Sequence, residues 1–370
     1  MLAFTRNLRV IRAVAIKDIK SSLTERAFTM VSLIIPLNFL LLFLLFVLTG
    51  GQAPTAVVLE ERGPYAQQFL AAMEHAHSFI IQEASAGQAA ALMQRGKIVA
   101  IVTVPADFDA ALRAGQRVQL PVLINNLDVD FTNDIRRAVP LAITSFYTAA
   151  FPEQVVVQAR EVDSYRQDTG YVAYLAVSIL VVGLMIGGLL QAGTNAAREY
   201  ERGTIKELLL APVSPWVIQA GKVLGALAMN ALGVLVVLAV IVLVLRVRPV
   251  NWGATLAFAL LLMVMFVALG TLFGTLVQRR QAVVPLSIGL ALPVFFLSGA
   301  FGPANWGDPV VATVARFEPV YYGIAVFQQA FHGFQTTQTS AAANTIILLA
   351  FALAAVALSA GVLRRRGTAH

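Results

Sequence analysis

Six stretches of this chain run for some twenty residues with almost no charge, and that pattern leaves few folds open. A helix crossing a bilayer needs about 20 mostly apolar residues, since each adds about 1.5 Å across a hydrocarbon layer about 30 Å thick. The stretches are 27–48, 171–194, 223–245, 254–277, 282–301 and 341–363. Only 13% of the chain is charged, against about 25% in soluble domains, and the charges gather between the apolar runs. The expected fold class is a polytopic α-helical membrane protein: six transmembrane helices with an inserted α/β external domain. The segment 310–334 is apolar in places but is broken by Arg316, Glu318 and Pro319. It reads as a re-entrant or interfacial piece rather than a seventh span.

Lysine and arginine in the short loops set the orientation. Arg6, Arg9, Arg12, Lys17, Lys20 and Arg26 precede the first span; Arg198, Arg202, Lys206 and Lys222 follow the second. Arg279 and Arg280 lie between the fourth and fifth, and Arg364, Arg365 and Arg366 follow the sixth. With six spans these all fall on one side, and the short loops opposite hold only Arg246, Arg248 and Arg316. Both termini are therefore expected in the cytoplasm. The organisation is then a cytoplasmic interfacial helix (1–26), a first span (27–50), an extracytoplasmic mixed α/β domain (51–169) and a five-helix transmembrane region (170–370). The last contains a cytoplasmic loop (195–218) and an external re-entrant segment (302–334). The long basic leader and the length of the first apolar run favour a retained span over a cleaved signal peptide.

The net charge of +7 fits membrane orientation more simply than nucleic-acid binding. There is no cysteine, which excludes disulfides, thiolate metal sites and a cysteine nucleophile. His75 and His77 have no third ligand nearby, so no metal site is expected. No catalytic constellation stands out.

At about 100° per residue, Leu8, Val10, Ile11, Val14, Ala15 and Ile19 fall on one half of an N-terminal helix, opposite Arg6, Arg9, Arg12, Lys17 and Lys20. Such a helix suits the inner membrane interface, with its cations toward anionic lipid. Asp18 interrupts the apolar half and points to a protein partner there.

In the inserted domain 55–59, 97–104 and 118–124 are strand-like. Residues 64–75, 87–95 and 131–151 have helical patterning, and a short helix starts at Pro105-Ala-Asp-Phe108. Helices between strands favour a small βαβ-type sheet. Asp107, Asp109, Asp128 and Asp130 read as turn and cap residues.

The loop after the second span carries the most information. Gly203 breaks the incoming helix, and Thr204 and Glu207 make a Thr-x-x-Glu capping box for a short new helix. Its apolar face is Ile205, Leu208 and Leu209, and Pro212 ends it. Ser214 caps the next helix with Pro215 at its first position. Docking of a cytoplasmic partner and simple chain reversal both fit this geometry.

The run Arg-Glu-Tyr-Glu-Arg-Gly-Thr-Ile-Lys-Glu-Leu-Leu-Leu-Ala-Pro-Val-Ser, residues 198–214, resembles the cytoplasmic signature of ABC-2 type transporter permeases. Gly221-Lys222-Val223 and the Phe296-Leu-Ser-Gly-Ala-Phe-Gly-Pro303 run fit the same pattern, and the likeness extends over essentially the whole chain. Lys206 departs from it, standing where the family signature is often acidic. The resemblance implies a half-transporter in a bacterial or archaeal cytoplasmic membrane. It would pair with a second permease copy or a paralogue and bind two cytoplasmic ABC ATPase subunits that hold ATP and Mg. The coupling helix would comprise Arg198, Glu199, Tyr200, Glu201, Arg202, Gly203, Thr204, Ile205, Lys206, Glu207 and Leu208. Arg9, Arg12, Lys17 and Asp18 would lie on a second docking element. Members with a large external domain resemble exporters of drug-like or lipid-like compounds.

The chain has no Gly-x-x-x-x-Gly-Lys-[Ser/Thr] run, because Val223 follows Gly221-Lys222. ATP bound by that route would need another chain. No charged residue lies deep in any of the six spans, which disfavours a proton-coupled carrier or ion channel. Asn38, Gln191, Asn195, Asn230, Phe295 and Phe296 are candidates for a transport pathway or for helix packing. The competing reading is a membrane-anchored sensor or assembly protein whose external domain binds a ligand or partner.

Overall fold

Alternation of short β-branched runs with helical segments folds the inserted part of the chain as a sheet with helices between its strands. The structure, a computed structural model, describes residues 2–24, 30, 34–42, 45, 52–76, 78–126, 129–154, 170–205, 207, 213–306 and 308–368. About half of the expected first span, together with His77, Asp128, Lys206, Leu208, Leu209 and Pro212, lies outside them. The chain divides into two compact units, Val47–Ser164 and Met1–Phe46 with Tyr165–His370.

The smaller unit runs β1 (Ala53–Leu59), α2 (Pro64–His75), β2 (Phe79–Glu83), α3 (Ala86–Gln94), β3 (Ala100–Val104), α4 (Phe108–Arg113), β4 (Val122–Ile124) and α5 (Val129–Ala150); α1 is the earlier Leu2–Thr24. The sheet order is β2-β1-β3-β4. Central β1 pairs parallel with β2 and β3, with Val57 opposite Val102, and β4 closes antiparallel on β3. One face buries Val57, Val102, Phe69, Met73, Phe108 and Phe146; the other buries Ala56, Val58, Ala89 and Ile101. Phe146 meets Phe69 edge-on at 5.9 Å.

Asp109 is a cap, but for a different helix from its own. Its carboxylate accepts from the Tyr65 and Ala66 amides at 2.9 and 3.0 Å, at the start of α2. Gly63 is needed beside it, since a Cβ there would sit 2.3 Å from the Asp109 carboxyl carbon. Strand β2 is absent from the sequence reading. It is a short edge strand in which only Phe79 is buried, so it lacks the nearly continuous buried run of β1 and β3.

The larger unit contains α6 (Tyr171–Glu201), α7 (Pro215–Ala239, ending in a π-turn at Val240–Val244), α8 (Trp252–Val277), α9 (Arg280–Leu297), α10 (Pro309–Ala315), α11 (Pro319–His332) and α12 (Ala341–Thr368). Five of these, α6, α7, α8, α9 and α12, are long and apolar enough to cross a membrane, by length and composition. Ser214 caps α7 as its sequence indicates, its hydroxyl accepting from the Trp216 amide at 3.4 Å. α6 is buried along nearly its whole apolar length, whereas α7, α9 and α12 expose most of theirs. Bare leucines such as Leu235, Leu286 and Leu353 on those outer helices suit a lipid surround.

Glycines let the central helices touch. A Cβ on Gly270 would lie 2.5 Å from the Gly188 carbonyl oxygen, and one on Gly274 2.1 Å from that of Gly193. α6 and α8 therefore cross backbone to backbone, as small-residue motifs allow.

Contacts fix how the helices alternate. Tyr174, at the start of α6, donates to the Gly299 carbonyl beyond α9 at 2.9 Å and accepts, through its own carbonyl, from Gln328 of α11 at 2.8 Å. The Val250 and Asn251 amides before α8 donate to the Phe331 and Ala330 carbonyls. The end of α7, the start of α8 and the ends of α9 and α11 thus share the Tyr174 end. At the other end Glu201 accepts from the Arg280 amide at 2.7 Å, and Ile205, Ile218 and Leu363 pack together. α10 and α11 meet at 91°. The chain leaves α9 and begins α12 at the same end, so this pair makes a bent hairpin that returns to that end.

Candidate functional site

α1 is amphipathic, and it buries the half on which its apolar residues fall, with Val10, Ile11 and Ile19 half-buried. Val14, Ala15, Asp18 and Ser22 are buried, at spacings of one to two turns, while Leu8 is exposed. The partner expected at Asp18 is the chain's own α6 and α7. Arg9 and Arg12 remain exposed on the opposite side.

The approach is closest at Gly221 and Gly225 of α7. A Cβ on Gly221 would stand 2.7 Å from Val14 Cβ, and one on Gly225 3.0 Å from both the Ala15 carbonyl oxygen and Asp18 Cβ. These glycines are four residues apart, the spacing that lets two helix backbones meet. That spacing was legible in the sequence as Gly221-x-x-x-Gly225.

Close packing brings four charges into one cluster, three of them buried. Lys222 of α7 donates to Glu199 Oε2, and Lys17 of α1 donates to Glu199 Oε1. Lys17 also pairs with Asp18 at 3.4 Å. Glu199, Asp18 and Lys222 are each below 5% exposed. Burial pushes the Asp18 carboxyl above its usual range, and the neighbouring Lys222 only partly offsets this. For Lys17 burial acts to lower the value, yet the Glu199 and Asp18 carboxylates outweigh it and hold the ammonium above its ordinary value.

A polar layer flanks the charges. Gln191 Nε2 donates to Ser22 Oγ at 2.8 Å and Asn195 Nδ2 to the same oxygen at 3.0 Å. Arg198 donates to Asn195 Oδ1 at 3.0 Å and to the Ser21 carbonyl at 3.3 Å. Every separation of α1 from α6 would strand a buried charge or amide, so the cluster behaves as a clamp.

The residues expected in a coupling helix divide into two groups. Arg198 and Glu199 are buried inside the clamp, and Tyr200 is half-buried. Glu201, Arg202, Gly203, Thr204 and Glu207 are exposed, and Ile205 is anchored against Ile218 and Leu363. Gly203 has φ +71°, a left-handed turn after the C-cap at Arg202. The reading of Lys206 and Leu208 falls outside the described residues.

Of the other candidates, Gln191 and Asn195 belong to the clamp. Asn230 donates to the Leu184 carbonyl at 3.5 Å, a helix-packing contact. Asn38 is exposed. Phe295 is fully buried, edge-on to Phe39 at 6.4 Å and to Phe301 at 5.1 Å, whereas Phe296 is exposed and stacks on Phe301 at 5.3 Å. Ser22 was not singled out from the sequence, and Lys222 only as a loop cation within Gly221-Lys222-Val223, because neither shows a buried partner until the glycines bring α1 within reach.

The chain matches the profile of the ABC-2 family transporter protein over residues 26–360. It is similar to two proteins of Escherichia coli (strain K12). One is described as the probable multidrug ABC transporter permease YbhR, 22% identical over 302 residues that cover 78% of this chain and 80% of the relative. The other is the probable multidrug ABC transporter permease YbhS, 23% identical over 338 residues that cover 87% and 88%.

Proposed function

Because the chain belongs to the ABC-2 family of transporter proteins, we propose that it is the membrane subunit of an ATP-driven exporter of hydrophobic or amphipathic compounds. Two cytoplasmic ATPase subunits, carrying ATP and Mg, would drive a pair of such permeases, of this chain alone or with a paralogue. The clamp end of the helices, with both termini, faces the cytoplasm, and residues 51–169 lie outside. The loop cations counted above support that orientation.

The observation that carries this reading is the position of the exposed turn. Glu201–Thr204 and Glu207 stand immediately beyond Glu199 on a helix about 46 Å long by its 31 residues at about 1.5 Å each. That length exceeds the hydrocarbon layer, so the turn projects beyond it. A push on the turn is passed to α1 and α7 through Glu199, to α9 through Glu201 and Arg280, and to α12 through Ile205. The names of the similar permeases support a drug-like cargo.

The test is co-purification with a cytoplasmic P-loop ATPase, together with efflux from cells expressing both. Gly203→Pro with Glu207→Arg removes the left-handed turn, since proline requires a φ near −65°, and reverses an exposed charge. Loss of ATPase association and of efflux is expected. If both survive intact, the coupling assignment is wrong; if the unaltered chain captures no ATPase, the sensor reading takes its place.

A further inference from the structure

The hairpin of α10 and α11 brings a half-buried carboxyl group to an apolar cavity beside α6 and α8. Glu318 lies at the 91° corner between α10 and α11, just before Pro319. α11 runs back alongside α6, with Gln328 at Tyr174 and Gly323 against Val181. Glu318 consequently reaches the level of Met185 and Leu189, with which it lines one cavity. Met185 is eleven residues along α6 from Tyr174, or about 16 Å at the helical rise. The expectation that no charge lies deep among the spans holds for the six stretches themselves and fails for the hairpin.

The cavity has a volume of about 330 Å³, within the range of pockets that take a small organic molecule. Among the described residues Glu318 is the one ionisable group in its lining; the rest is aliphatic and aromatic, including Phe266, Phe273 and Phe317. Leu276, Leu290 and Phe317 are exposed at its rim. Among the described residues Glu318 Oε2 is buried and has no hydrogen-bond partner, and the side chain does not cap α11. Arg316, two residues away, turns instead to Gln338 at 3.4 Å.

A carboxyl with one oxygen buried and unpartnered against an apolar cavity is costly unless something supplies the missing positive charge. Phenylalanine rings are suited to the same charge, since their faces attract cations. A headgroup needing many hydrogen bonds would find one acceptor only. We propose that this cavity binds a hydrophobic organic monocation, with Glu318 as its counter-charge. The inference rests on the exporter reading for its purpose, as the site where cargo is selected, but the binding itself needs no ATPase.

The purified full-length chain in lipid nanodiscs is titrated with tetraphenylphosphonium and with tetraphenylborate, which has the same shape and the opposite charge. The cation is expected to bind the unaltered chain at least about tenfold more tightly than the anion, and Glu318→Gln to remove that preference. Leu290→Trp, which narrows the rim without touching the charge, is expected to weaken the cation and serves if Glu318→Gln does not fold. Equal binding of both ions, or cation binding unchanged in Glu318→Gln or in Leu290→Trp, overturns the proposal. Cation binding that depends on Glu318 in a chain that captures no ATPase defeats the exporter reading alone. ATPase capture and efflux with no role for Glu318 defeats only the cavity assignment.

Discussion

Glu199 and Lys222, 23 positions apart, pair side chain to side chain where α6 and α7 meet, each almost without solvent contact. Lys17 reaches the other oxygen of the same carboxylate from α1. One anion therefore holds two cations from two helices. Removing it leaves the buried Lys222 ammonium without its ion pair and Lys17 with Asp18 alone. Glu199→Gln is expected to cost about 3–5 kcal/mol, the usual penalty for breaking a buried pair from one side. The double variant Glu199→Gln/Lys222→Gln should lose less than the single variant, because coupled residues do not add. Thermal unfolding in detergent measures both; a double variant as unstable as the sum of its parts would argue against the clamp.

α1 sits where it does because α7 offers no side chain at two positions. Gly221→Val places new atoms against Val14, whose Cβ already lies 2.7 Å from the site of the added Cβ. Overpacking of this kind costs about 1–3 kcal/mol, and α1 is expected to lift rather than α7 to bend. Because the chain has no cysteine, a single Val14→Cys reports directly. Its thiol should react slowly with maleimide in the parent and about tenfold faster with Gly221→Val, tenfold corresponding to about 1.4 kcal/mol. Gly289→Ala, where a Cβ meets nothing within 4 Å, should leave the rate unchanged.

Asp18 supplies a pH dependence whose sign follows from its surroundings. Its folded value is raised above the ordinary 3.8, with burial as the largest cause. A raised carboxyl contributes stability that is complete below the unfolded value and is lost as pH rises through the folded one. Lys17, held above 10.5, keeps its contribution unchanged below that pH. Asp18→Asn removes the group that titrates, so its melting temperature should exceed that of the parent by a margin that opens above about pH 4. Melting curves at pH 5, 6.5 and 8 test this: a margin that closes with rising pH contradicts the assignment.

The parts of the fold visible in the sequence are those set by local periodicity and by solvent. Twenty apolar residues in a row define a helix that belongs in lipid, whatever its neighbours, and five such helices stand close to where the sequence puts them. Gly203 and the Ser214-Pro215 pair mark helix ends because backbone conformation and capping are local. Strand β2 was missed because its edge position leaves only Phe79 buried, without the continuous buried run that announces β1 and β3.

The site was legible only in fragments. Arg198, Glu199, Lys17 and Asp18 were each noticed, but as surface groups for a partner. Their burial together depends on Gly221 and Gly225, and no charge pattern along one helix reveals which helix will lie across it. Glu318 is the sharper case. Arg316, Glu318 and Pro319 break an apolar run, which by itself places them at an interface. The tertiary fold turns that break into a corner and packs α11 back along α6, carrying the carboxyl down to Met185. Sequence alone determined that this chain lives in a membrane, with its cations largely at one end of its helices, because hydropathy and charge act residue by residue. Which charges meet, and which one is left facing an apolar cavity, was decided by the tertiary structure, because burial and pairing belong to helices in contact rather than to any one of them.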